Sequence, residues 1–191
     1  QYLYPDCFLN VIDKDVKMTG KNYEVFKCDQ SSLIDLKMFL EKLEGKKIEL
    51  IIDDGSHVPE HQILSFNMLF KNLLLPGCTY IIEDIETSFW KSGNIYGYPT
   101  NYGYDSKKSI INTFSKILNW INKEFLLENE RKVLLRELEG AGFDIESVES
   151  IKSITFGHNI LGIRKKTKKD LQLSKRNYRF SKYLYRSGKG F

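Results

Sequence analysis

The sequence predicts a doubly wound α/β domain on a mostly parallel sheet. Three observations predict it. Apolar runs of strand length end in acid: Phe8 to Ile12 runs into Asp13, Ile48 to Ile52 into Asp53-Asp54-Gly55-Ser56-His57, and Thr79 to Ile82 into Glu83-Asp84. Helix-length amphipathic segments separate these runs, which is the alternation that builds a parallel sheet. Two late segments, Ile145 to Phe156 and Asn159 to Arg164, flank Gly157-His158 and predict an antiparallel strand pair at one edge.

Taken in order, Phe8 to Ile12 is the first strand, and Lys14 to Lys21 is a polar connection containing Gly20. Tyr23 to Cys28 alternates as a second strand and ends at Asp29-Gln30. Ser31 or Ser32 is the expected N-cap of a helix whose Leu33, Leu36, Phe39, Leu40 and Leu43 recur at helical spacing and which Gly45 stops. The strand at 48–52 follows. Glu60 to Leu75 reads as a helix with Ile63, Leu64, Phe66, Leu69, Phe70 and Leu73 on one side, closed by a Pro76-Gly77 turn before the strand at 79–82. Strand, helix, strand is a right-handed crossover unit, so these two strands are parallel and their acidic ends share one edge. In open α/β sheets that edge is where ligands bind.

Thr87 to Asp105 breaks the rhythm with Phe89, Trp90, Tyr96, Tyr98, Tyr102 and Tyr104 among glycines, and predicts a long loop that walls a pocket. Lys107 to Asn122 and Asn129 to Leu138 are the last two predicted helices.

Length and composition fit one globular domain. No apolar run is long enough for a membrane-spanning helix, no signal peptide is visible, and the expected location is the cytoplasm. Cys7, Cys28 and Cys78 are odd in number and far apart, which favours free thiols over a disulfide or a metal site. Charge is asymmetric. Residues 165–191 carry ten Lys/Arg and one acid, net +9, leaving −5 on residues 1–164. The expected division is a domain at 1–165 and a basic, aromatic extension at 166–191.

Three carboxylates, Asp54, Glu83 and Asp84, converging at neighbouring strand ends repel one another unless a cation lies between them. Oxygen ligands without cysteine suit Mg²⁺, Mn²⁺ or Ca²⁺. His57, three residues after Asp54 and just past a Gly-Ser turn, can reach a group bound to that cation and act as a general base near neutral pH. The plainer readings are a helix-capping role for Asp53 or Asp54 and a surface histidine. Convergence at two strand ends weighs against them. His57 and His61 also form an H-x-x-x-H pair, but a helix starting at Pro59 puts them on different faces and disfavours zinc. Asp13 stands where an acid accepts hydrogen bonds from ribose hydroxyls, with Asp29-Gln30 alongside, within reach of an adenine.

Together, Ile-Ile-Asp-Asp-Gly-Ser-His, a helix, and Pro-Gly-x-x-Tyr-Ile-Ile-Glu-Asp-x-x-Thr-Ser-Phe-Trp resemble the Mg²⁺-dependent class I S-adenosylmethionine-dependent sugar O-methyltransferases of the macrolide type. The resemblance spans Phe8 to Lys165 and is strongest from 48 to 90. It implies a Rossmann-like methyltransferase sheet. It implies Asp54, Glu83 and Asp84 as Mg²⁺ ligands, His57 as the base, and Asp13, Asp29, Gln30 and Asp53 on the S-adenosylmethionine side. Trp90, Tyr96 and Tyr98 are then expected against a sugar-like acceptor. The family's first strand and Gly-rich cofactor loop have no counterpart before Phe8, so the chain is expected to be a segment of a longer polypeptide, with an open slot between the Asp13 and Asp54 strands. Two alternatives remain at this level: a nucleotide-binding module without catalysis, and a nucleic-acid binder using Tyr178, Phe180, Tyr183, Tyr185 and Phe191 among the basic residues of the tail. A homo-oligomer is compatible with the sequence.

Overall fold

The structure, a computed structural model, describes residues 6–173. The tail aromatics Tyr178, Phe180, Tyr183, Tyr185 and Phe191 lie outside the described residues.

The strands form two main sheets rather than one. In the first, β1 (Leu9–Asp13) pairs in parallel with β3 (Tyr23–Lys27), and β2 (Met18–Thr19) adds antiparallel to β3. In the second, β4 (Ile48–Asp53) pairs in parallel with β5 (Leu74–Glu83), and β9 (Ile160–Lys165) and β8 (Ile151–Gly157) follow antiparallel, in the order β4-β5-β9-β8. The expected parallel crossover and the antiparallel terminal hairpin are both present. So is the expected gap: β1 and β4 do not hydrogen-bond to each other.

The helices form where caps and apolar spacing coincide. Ser32 caps α1 (Leu33–Lys42) by accepting from the Asp35 N–H, and Ser109 does the same for α3 (Ile110–Ile121) at Asn112. Helix α2 (Pro59–Asn72) starts at a proline, which loses nothing in the first turn. Its Ile63, Phe66, Leu69 and Phe70 are buried against Tyr80 and Ile82 of β5 and Phe114 of α3. Phe66 is the hub, edge-on to Tyr80 at 5.6 Å and to Phe114 at 5.4 Å. Lys165 closes the far end of α2 by donating to the carbonyls of Phe70, Lys71 and Leu74.

Three expectations are corrected. Pro76-Gly77 is not a turn after a helix. The helix ends at Asn72, and β5 runs through Pro76-Gly77 where its register against β4 slips, pairing Ile48 with Leu74 but Leu50 with Thr79. A bulge tolerates the missing N–H of Pro76 and uses the left-handed φ of +83° that Gly77 supplies. Ile145 to Glu149 is not strand but a short helix, α5, N-capped by the Asp144 side chain, and the strand begins at Ile151. The stretch 87–105 is not all loop. A 3₁₀ turn at Ile85–Phe89 leads to a small hairpin of β6 (Gly93–Ile95) and β7 (Tyr98–Thr100). The remaining helix, α4 (Glu128–Gly140), packs against α3.

One face of the sheets is bare. Leu50 and Ile52 of β4 are 44% and 53% exposed, and Leu9 and Val11 of β1 are each 39% exposed. Buried parallel strands carry apolar residues on both faces. β4 has that composition, but only its Ile51 and Asp53 side is covered by α2. In this chain, Ile52→Ser is expected to change stability by less than about 0.5 kcal/mol, while Ile82→Ala costs about 2–5 kcal/mol. Urea unfolding measures both, and equal losses would show that the bare face is covered in solution.

Candidate active site

The site forms where β4 and β5 end. One buried carboxylate organises it. Asp53, the last residue of β4, accepts from Gln30 Nε2 at 2.5 Å, Ser65 Oγ at 2.6 Å and Tyr80 OH at 2.9 Å. Those donors come from the end of the first sheet, from α2 and from β5. Burial pushes the Asp53 carboxyl up from its ordinary value, against the pull of these three hydrogen bonds. Gln30 uses its other end on the loop, where its Oε1 accepts the Ser56 N–H at 2.9 Å. The approach is so close that a Cβ on Gly55 would lie 2.3 Å from that oxygen, so a larger residue there would displace the Gln30 side chain from these bonds. Gln30 and Asp53, both expected on the cofactor side, are hydrogen-bonded to each other, and Gln30 also holds the 54–57 loop.

That loop presents Asp54 and His57 to Asp84. His57 Nε2 lies 3.8 Å from Asp54 Oδ1 and 3.9 Å from Asp84 Oδ2. One ligand atom from each of the three residues falls within 4.8 Å of the others, a spacing that can hold a metal ion. Glu83 does not join this set among the described residues; its backbone carbonyl accepts Gln62 Nε2 at 3.3 Å. His57 is buried, and its Nδ1 is one of the few buried polar atoms without a partner among the described residues.

Backbone strain concentrates here. Among the described residues, the non-glycine residues with left-handed φ are His57, Asp84, Tyr96 and Asn159. Each costs on the order of 1 kcal/mol or more and persists only where its surroundings impose it. Two of the constraints are visible. Buried Thr87 donates to the His57 carbonyl at 2.7 Å, and Asn159 Nδ2 donates to Asp84 Oδ1 at 2.8 Å. Neither of these two roles was visible in the sequence. Asn159 carried a faint signal as an asparagine in a hairpin turn, a type that tolerates left-handed φ. Thr87 belongs to the Thr-Ser-Phe-Trp part of the motif, but its bond to His57 could not be read there, because that partner is 30 residues away.

The aromatic stretch divides. Tyr96 is 67% exposed, with its ring 6.0 Å from that of His57. Tyr98 packs edge-on against His61 at 4.7 Å, and Tyr102 donates to Glu60 at 2.5 Å, so both fasten the small hairpin to the start of α2. Trp90 packs within the hairpin, against Gly93. His61 Nδ1 is 2.9 Å from Ser56 Oγ, and His61 is not part of the Asp54, His57 and Asp84 group.

Asp13 and Asp29 close the far side of this edge, at the ends of the parallel strands β1 and β3. Asp13 accepts the N–H groups of Asp15 and Val16, which lowers its pKa. The Ser31 hydroxyl bonded to Asp29 does the same there. Both are therefore held as carboxylates.

No family model matches the chain. Its sequence is similar to that of the 8-demethyl-8-alpha-L-rhamnosyl tetracenomycin-C 2'-O-methyltransferase of Streptomyces olivaceus, with 46% identity over 22% of this chain and 11% of that protein. It is also similar to the demethylmacrocin O-methyltransferase of Streptomyces fradiae, with 48% identity over 22% of this chain and 10% of that protein. The mycinamicin VI 2''-O-methyltransferase of Micromonospora griseorubida is 39% identical over 27% of this chain and 13% of its own length. The fold is that of a class I methyltransferase. It matches the MycE methyltransferase in complex with Mg, SAH and mycinamycin VI at a TM-score of 0.61 and 19% identity, over 83% of this chain and 36% of that one. A second MycE structure, with Mg and SAH, matches at 0.62 over 87% of this chain and 43% of the other. The chain thus spans less than half the length of these MycE structures.

His61 sets a pH dependence. Burial lowers its pKa, outweighing the nearby carboxylates of Asp29 and Glu60. The unfolded chain, with a value near about 6.5, then binds the proton more readily than the folded one. The stability from neutral His61 is present above about pH 6.5 and is lost as pH falls from there toward the lower folded value. His61→Gln should flatten this part of the melting-temperature profile between pH 7.5 and 5.5, and an unchanged slope would contradict the assignment.

Proposed function

We propose that the chain carries the metal and acceptor side of an S-adenosylmethionine-dependent O-methyltransferase acting on a hydroxyl of a glycosylated small molecule. The observation that carries this reading is the set of Asp54, His57 and Asp84 around one point at the carboxyl edge of β4 and β5. The named activities of the relatives and the Mg and SAH of the MycE structures support it.

The residues fit both groups by their chemistry. Asp54 and Asp84 offer hard oxygen ligands of the kind Mg²⁺ takes, and Glu83, one residue before Asp84, is the third ligand in this reading. Asp13 and Asp29, kept as carboxylates at the ends of β1 and β3, suit ribose hydroxyls and an adenine. When bound, Mg²⁺ lowers the pKa of a coordinated hydroxyl. When bound, S-adenosylmethionine supplies an electrophilic methyl group.

The chain's own residues then act as follows. Asp54 and Asp84 fix the acceptor side of the site. The hydroxyl proton passes to His57 Nε2, the ring nitrogen that faces both carboxylates. That nitrogen lies 3.8 Å from Asp54 Oδ1 and 3.9 Å from Asp84 Oδ2, so the base stands beside the residues that would hold the acceptor's hydroxyl. Thr87 holds the His57 backbone in its left-handed conformation, so the ring is aimed before the acceptor arrives. Tyr96, with Trp90 and Tyr98 behind it in the hairpin, covers the sugar.

On the full polypeptide, His57→Ala is expected to keep S-adenosylmethionine and Mg²⁺ binding by calorimetry while turnover falls about 10²- to 10⁴-fold. Loss of Mg²⁺ affinity in that variant would make His57 a ligand instead of the base. EDTA should abolish methyl transfer and Mg²⁺ restore it, and Asp84→Asn should raise the Mg²⁺ concentration for half-maximal activity about tenfold or more. Activity indifferent to chelator would remove the metal from the mechanism.

A further inference from the structure

Two buried polar atoms beside the site lack a partner, and they are complementary. His57 is 5% exposed and Gln62 0%, and among the described residues neither His57 Nδ1 nor Gln62 Oε1 has a hydrogen-bond partner. Unpaired buried groups are costly, and the cost disappears when a donor and an acceptor among them meet. The start of α2 brings these two together. Val58 is the N-cap and Pro59 the first helical residue, so His57 precedes the cap and Gln62 is the fourth residue of the helix. Side chains at those two positions commonly touch, because the chain entering a helix folds across its first turn. The Gln62 N–H closes that turn on the Val58 carbonyl at 3.0 Å. The Gln62 amide has a fixed orientation. Its Nε2 donates to the Glu83 carbonyl at 3.3 Å, and a carbonyl only accepts, so the free end of the amide is the oxygen. The atom that meets this oxygen must carry a proton. His57 Nδ1 carries one in only one of the two neutral tautomers, and that tautomer leaves the lone pair on Nε2. Nε2 is the nitrogen that faces Asp54 and Asp84 at 3.8 and 3.9 Å. The opposite tautomer has its proton on Nε2 and cannot take another there.

We infer that Gln62 is a positioning residue: its Oε1 accepts the Nδ1–H of His57 and so keeps Nε2 free to take a proton. This rests on the methyltransferase reading and adds the group that selects the tautomer of the base. Asp54 and Asp84 both lie on the Nε2 side of the ring and give the proton no reason to stay on Nδ1. Gln62 supplies that reason from the other side. Its amide nitrogen is tied to Glu83, the residue before Asp84, so one side chain links the base to the end of β5. A partner that acts through a second residue in this way sets both the tautomer and the aim of the ring.

The test uses the full polypeptide with isotope-labelled histidine, with Mg²⁺ and SAH added. Two-bond proton–nitrogen NMR correlations report which ring nitrogen of His57 holds the proton, and His57→Ala identifies the signal by its loss. In mildly alkaline buffer the wild type is expected to show the Nδ1–H pattern. Gln62→Met keeps the length of the side chain without its carbonyl oxygen. It should shift the pattern toward Nε2–H and lower kcat on mycinamycin VI about 10- to 100-fold, while KM and the affinities for Mg²⁺ and SAH stay within about twofold. Gln62→Glu, which keeps an oxygen at that place, should hold the Nδ1–H pattern and regain most of kcat. A side chain that only fills space would change stability and leave the tautomer alone. A wild type protonated at Nε2, or a Gln62→Met variant with the Nδ1–H pattern intact, overturns the assignment. Should Gln62→Met not fold, the wild-type spectrum and Gln62→Glu decide. Failure of the methyltransferase reading is seen separately, as absent SAH binding in the wild type.

Discussion

The arrangement depends on one buried carboxylate. Asp53 lies at the junction of both sheets and α2, and its three hydrogen bonds come from Gln30, Ser65 and Tyr80, which are far apart in sequence. The main sheets share no ladder, so this network is the polar link between their carboxyl ends. Removing Asp53 would leave those donors facing one another without an acceptor, a larger loss than the net value of any one bond. The same network fixes the loop that carries Asp54 and His57, through Gln30 and Ser56. Fold and site thus share a support.

Above that support, the site is built from strained pieces. His57, Asp84, Tyr96 and Asn159 all adopt left-handed backbone, and all belong to the site or its rim. Among the described residues, three of the five buried polar atoms without a partner lie in this region: His57 Nδ1, Gln62 Oε1 and Glu86 Oε2. A protein interior tolerates such atoms where binding later satisfies them. Aromatic packing around Phe66 and the ties of Lys165 to the end of α2 provide the rigidity that holds this strain.

Much of this was legible in the sequence. Alternating apolar runs marked β1, β3 and β4, and the acids after them marked the edge. Asp54, His57 and Asp84 were legible because parallel topology brings neighbouring strand ends together whatever the intervening side chains. Gln30 stood out as a candidate beside the cofactor, but its hydrogen bond to Asp53 did not, since no local pattern reveals that Asp53 is buried. Pro76-Gly77 carried strong turn chemistry, and only the slipped pairing of β4 with β5 shows why a strand runs through it. Ile145 to Glu149 was misread because its apolar content suits a strand and its capping aspartate, Asp144, lies just outside the segment. Thr87 and Asn159 act entirely through distant partners, and a chain read locally cannot show them.

The bare face beside β1 and β4 has a colloidal consequence. Unpaired strand edges with apolar side chains invite pairing with any extended segment, including another molecule of the same kind. Leu9, Val11, Leu50 and Ile52 offer such a template, and Lys46, which reaches Asn10 Oδ1 at 3.3 Å and sits over the Phe8 ring, is the charge standing guard at its mouth. The strand whose end carries the proposed chemistry is therefore also one that can pair with an extended segment of another molecule, and Lys46 stands at that edge.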